Sequence, residues 1–168
     1  MKWKSLLIYA LPTVAVLGLF WYVIASGNSS EAPAPAVETS TADPHVVALT
    51  CTTDMATKFH IHPQVAILIN GERQTIPSNV GITSTCMNPL HTHDATGTIH
   101  VESPVKLDFT LADFFAVWGK TFNQDQILDS KADDTHEITM TVNGKPSTEF
   151  ENLVLKDDDL IVITYAKK

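Results

Sequence analysis

Twenty consecutive residues without a charge, LLIYALPTVAVLGLFWYVIA at positions 6–25, constrain this chain more than any other feature. A helix of that length matches a hydrocarbon core of roughly 30 Å. Pro12 inside the run is tolerable, because neighbouring groups in a membrane re-satisfy the freed carbonyl. Lys2 and Lys4 precede the run, and Trp21 and Tyr22 stand near its far end. Positive charge holds an N-terminus in the cytoplasm, and amphipathic rings favour the interface. Residues 1–25 therefore predict a single-pass transmembrane anchor, with the rest of the chain outside the cytoplasmic membrane, periplasmic or at the cell surface. The alternative is a cleaved signal peptide, against which the length of the apolar run argues. Both readings export the remainder.

Residues 26–48 are rich in Pro, Ala, Ser and Thr and poor in large apolar side chains. Such a segment cannot bury enough surface to offset chain entropy, so it reads as a disordered spacer. Residues 49–168 are then a single extracytoplasmic domain, long enough for one modest core. The chain carries 19 Asp and Glu against 11 Lys and Arg, a formal charge of −8. That balance repels phosphate backbones and excludes nucleic acid as a natural partner. Cys51 and Cys86 are the two cysteines. In an exported protein an even pair predicts a disulfide, the alternative being a thiolate metal ligand at Cys86, close to His91 and His93.

The domain reads as α+β. Residues 65–69 run into Asn70-Gly71, the dipeptide of a tight hairpin turn, with 73–76 returning. Residues 138–142 alternate and reach a second such turn at Asn143-Gly144. Short strands are expected at 98–102 and 153–155, a polar turn at 157–159, and a final apolar strand at 160–165. Between them, Thr110 and Asp113 form a capping-box pattern ahead of an apolar stripe, Leu111, Phe114, Phe115 and Trp118, that stops at Gly119. The order predicts a mixed or antiparallel sheet with one main helix. The last third, with VNGK and LKDDDLIVI, resembles the closing strands of β-grasp proteins, which makes the expected fold β-grasp-like.

Five of the seven histidines fall between positions 60 and 100: His60 and His62, then His91 and His93, then His100. Residues two apart on a strand share a face, so each H-x-H pair can aim two imidazoles at one point. Asp94 and Glu102 stand beside them as carboxylates that either ligate or orient a histidine's second nitrogen. Imidazole donors suit Zn and Cu, and a histidine shell in an oxidising compartment predicts Cu(II) or Zn(II). The same histidines on a solvated sheet face would be structural. His45, in the spacer, and His136, before a strand, have no neighbouring partners in sequence.

The stretches FHIHPQVAILINGERQTIPSNVGI and LHTHDATGTIHVESPVKLDFTLADFFAVWGK, spanning residues 59–120, resemble a widespread uncharacterised prokaryotic family of often membrane-anchored proteins. The resemblance implies that His60, His62, His91, His93, His100 and Glu102 act as one motif, and it implies no reaction. Three functions follow from the sequence. The first is a tethered metal-binding domain. The second is a metal-dependent hydrolytic or redox enzyme at the same histidines. The third is a metal-free β-grasp-like interaction module, which requires the histidines to point to different places.

Overall fold

The computed structural model describes residues 42–53 and 56–168. The anchor expected at residues 1–25 and most of the spacer lie outside the described residues. Among those described, no helix is long and apolar enough to cross a membrane. The elements run in chain order as α1 (Pro44–Leu49), β1 (Phe59–Ile61), β2 (Gln64–Ile69), β3 (Glu72–Gln74), β4 (Leu90–His91) and β5 (His100–Ser103). There follow α2 (Leu111–Trp118), β6 (Phe122–Asn123), β7 (Gln126–Ile127), β8 (Ser130–Lys131), β9 (His136–Val142), β10 (Lys145–Ser147) and β11 (Leu160–Lys167).

The main sheet has five strands in the order β10-β9-β11-β2-β3. The last strand, β11, pairs parallel with β2, and the other neighbours are antiparallel. The expected α+β class, a mixed sheet with one main helix, is what the chain adopts. A parallel pair needs a long crossover, and every element between β3 and β9 is part of it. Both Asn-Gly turns form as expected, with φ of 51° and 86° at Asn70 and Gly71 and of 53° and 77° at Asn143 and Gly144. Positive φ at both central residues is the conformation that closes a two-residue hairpin. Each turn sends its return strand to an outer edge of the sheet.

Alternation along the strands sets the core. Val65 and Ile67 of β2, Ile161 and Ile163 of β11, and Ile138 and Met140 of β9 are all buried. They belong to one hydrophobic cluster with Leu111, Phe114 and Phe115 of α2. The helix starts where the sequence says. The Thr110 hydroxyl accepts from the Asp113 amide, and the Thr110 amide donates to the Asp113 carboxylate at 2.8 Å. Gly119, at φ 69°, ends it in the left-handed conformation.

Three local expectations are corrected. The spacer reading extended to residue 48, but Pro44–Leu49 is helical and Ala48 is fully buried. Asp43 caps that helix, and its His45 donates from Nδ1 to Asp113 Oδ1 at 2.9 Å. One buried carboxylate thus closes the start of α2 and holds α1 to it. The strand expected at 153–155 is reduced to a bridge between Val154 and Thr110 after a 3-10 turn. Residues 122–131, read as no element from sequence, form a small meander of β6, β7 and β8.

A second three-stranded sheet, ordered β1-β5-β4, carries the histidines. Its inner face is apolar: Ile61, Leu90 and Val101 are buried, and Val101 lies opposite both of the others. Cys51 and Cys86 form the expected disulfide, beside the bridge of Thr52 with Met87. Closing that loop stabilises the fold by about 3–4 kcal/mol in the chain-entropy model. Gly97 fixes the loop before β5. It sits at φ 93°, its carbonyl accepts from Val65 N–H at 2.8 Å, and an added Cβ would fall 2.2 Å from the Val65 carbonyl oxygen. Gly97→Ala therefore combines left-handed strain with a backbone clash, each of order 1–3 kcal/mol. Urea unfolding should show a loss of about 2 kcal/mol or more, and an unchanged midpoint would contradict this close approach.

Candidate metal centre

Strand register brings the ligand-type side chains together. In β5, His100 and Glu102 point to one face, and Val101 and Ser103 to the other. Pairing sets His60 of β1 opposite Glu102 and His91 of β4 opposite His100. Four polar side chains from three strands therefore share the face opposite the apolar one. His62 and His93 follow two residues after His60 and His91 and carry each H-x-H pair past its strand end.

The H-T-H segment is held from below. Thr92 is fully buried, its hydroxyl donates to the Pro77 carbonyl at 2.8 Å, and it accepts from the Val80 amide at 3.1 Å. His91 is fully buried as well. Its Nδ1 lies 3.0 Å from the Asn88 carbonyl oxygen. A carbonyl only accepts, so Nδ1 carries the proton, and a neutral ring keeps its lone pair on Nε2. That fixed tautomer is the one a metal-ligating histidine uses. His91 Nε2 faces His93 Nε2 at 3.2 Å and Glu102 Oε1 at 3.9 Å.

His100 completes the inner group. Its Nδ1 lies 3.9 Å from Glu102 Oε1, is buried, and has no hydrogen-bond partner. A buried donor or acceptor left unpaired costs about 1–3 kcal/mol, which makes this nitrogen a natural place for a ligand. The donor atoms of His91, His93, His100 and Glu102 all lie within 4.8 Å of one another. His60, His62 and His100 form a second group on the same criterion. His60 Nε2 also stands 3.2 Å from Glu102 Oε1. All five histidines taken from the sequence, together with Glu102, are brought into one patch.

Asp94 is not. Its Oδ1 accepts from the Thr96 hydroxyl at 2.6 Å and the Thr96 amide at 2.9 Å, a closed turn on exposed chain. Those hydrogen bonds hold its carboxyl below the ordinary carboxylate value. The D-x-T spacing of an Asx turn was legible in the sequence. His45 and His136 stay apart from the patch: the first binds Asp113, and the second stacks on Tyr165 with its Nδ1 2.8 Å from the Thr135 hydroxyl. Sequence reasoning missed Asp157, whose Oδ1 accepts from the His62 amide at 2.8 Å and lies 3.7 Å from His62 Nδ1. A sequence separation of 95 hides that contact.

Burial is the main force on the two innermost rings. Desolvation lowers the His91 pKa below its ordinary 6.5, against opposition from the Asn88 carbonyl and Glu102. His100 is lowered by burial first, then by the neighbouring His93 and His62. Both are kept neutral, the form that ligates. Their effect on stability has a definite sign. A histidine whose folded pKa is depressed contributes stability fully above its unfolded value, and loses it as pH falls through the window below. The metal-free domain should hold its melting temperature above about pH 6.5 and lose several degrees by pH 5. The loss should be smaller in His91→Gln, and a flat profile would contradict the desolvated rings.

Compared with family models, curated proteins and solved structures, the chain finds no match. The reading of this patch therefore rests on its own geometry.

Proposed function

We propose that this is a tethered extracytoplasmic domain that binds Cu(II) or Zn(II) at His91, His93, His100 and Glu102. The observation that carries the reading is the convergence of three imidazole nitrogens and one carboxylate oxygen within 4.8 Å of one another. Such a donor set suits both ions. The fixed tautomer of His91 and the unpaired buried nitrogen of His100 support it. A metal-free interaction module asks instead for scattered rings, and the gathering of five of them speaks against it. Four protein donors also favour holding an ion over activating water, which needs an open position.

The extracytoplasmic assignment draws on the apolar run at 6–25 and on the disulfide, a bond that persists in oxidising compartments. The anchor then tethers the domain to the membrane, with the membrane and the ion as its partners. The family resemblance over residues 59–120 is consistent with a membrane-anchored chain carrying this motif.

The test is elemental analysis of the full chain, purified without a histidine tag. At least one equivalent of copper or zinc per chain is expected, with one equivalent lost in His91→Ala and in His93→Ala. Protein that is metal-free after purification and after incubation with either ion would refute the assignment.

A further inference from the structure

The four-donor group leaves two histidines unused. His60 and His62 lie on its outer side, with side chains 43% and 40% exposed. Their rings stand 4.3 Å apart, and the His62 ring is 4.8 Å from that of His100. Three donor atoms, one each from His60, His62 and His100, lie within 4.8 Å of one another. His100 thus belongs to both groups.

We propose that the patch is a two-ion centre, with a second divalent transition-metal ion held by His60, His62 and His100, and with the His100 ring shared between the ions. This rests on the inner site just described. An imidazole has two ring nitrogens on separate edges. His100 Nδ1 is buried and 3.9 Å from Glu102 Oε1, and the proposal gives that nitrogen to the inner ion and Nε2 to the outer one. Serving both ions takes the remaining ring proton, so the second ion releases one proton to solvent as it binds.

An independent feature prepares the outer group. Asp157, in the turn before β11, takes the His62 amide at 2.8 Å and lies on the Nδ1 side of the ring at 3.7 Å. A carboxylate on the Nδ1 side is the kind of partner that orients a metal-bound histidine, and the proposal takes Nε2 as the donor of His62. The two groups touch at a second point, since His60 Nε2 is 3.2 Å from Glu102 Oε1. Among the described residues, three protein donors define the outer position, so coordination space remains there for a water or a small anionic ligand.

The experiment uses the full chain titrated with Cu(II), desalted through a weak competing chelator, and read by elemental analysis and by electron paramagnetic resonance. Two ions per chain are expected, falling to one in His62→Ala and to one in His91→Ala. With two Cu(II) bound, coupling across the shared ring should bring the integrated signal below two spins, whereas His62→Ala should show one full spin. A single ion in the unaltered chain would overturn the second site and leave the inner one standing. No ion at all would remove both. Two ions that persist in His62→Ala and in His60→Ala, or two full uncoupled spins, would also overturn the proposal.

Discussion

Backbone pairing of β5 with β1 on one side and β4 on the other is the constraint that everything at the patch depends on. Each strand is short, with three, four and two residues. Such a sheet has little stability alone. It is held by its apolar face, where Ile61, Leu90 and Val101 are buried against the rest of the core. The period of two along each strand then turns burial of one face into convergence on the other. A slip of one residue in either pairing would turn an imidazole toward the apolar face and turn Ile61 or Leu90 away from it. The apolar residues thus set the geometry of the polar ones, although none of them offers a donor atom.

Gathering five imidazoles and a carboxylate works against folding, and for His91 and His100 burial disfavours the charged ring. Protonated rings at these separations repel one another, and burial penalises charge on the two deepest. The fold answers with specific partners. The Asn88 carbonyl fixes His91, Glu102 lies among three of the rings, and Asp157 holds the backbone of His62. What remains is an unpaired nitrogen on His100. Buried polar atoms left in this way are uncommon in folded proteins and ask for a cause. A bound ion supplies one, and it would exchange the residual cost for coordination.

Much of this was legible in the sequence because the signals were local. The two Asn-Gly turns, the Thr110–Asp113 capping box and the Gly119 stop each act over four residues or fewer. The H-x-H spacing revealed shared faces for the same reason. The hidden features were tertiary. His45 looked unpartnered because Asp113 lies 68 positions away, and the helix at Pro44–Leu49 owes its place to that contact and to burial of Ala48. The meander at Phe122–Lys131 has strands of two residues each, too short to show a period. The division of the histidines into an inner and an outer group depends on which residue faces which across β4 and β5. Composition and spacing do not encode that register.

The central claim is that side chains from separate strands close on one ion. X-ray absorption of the full chain carrying one equivalent of Zn(II) reads that shell directly. The account predicts about four nitrogen and oxygen donors at roughly 2.0–2.1 Å, with the outer scattering of about three imidazole rings. A six-oxygen shell without imidazole scattering would contradict it.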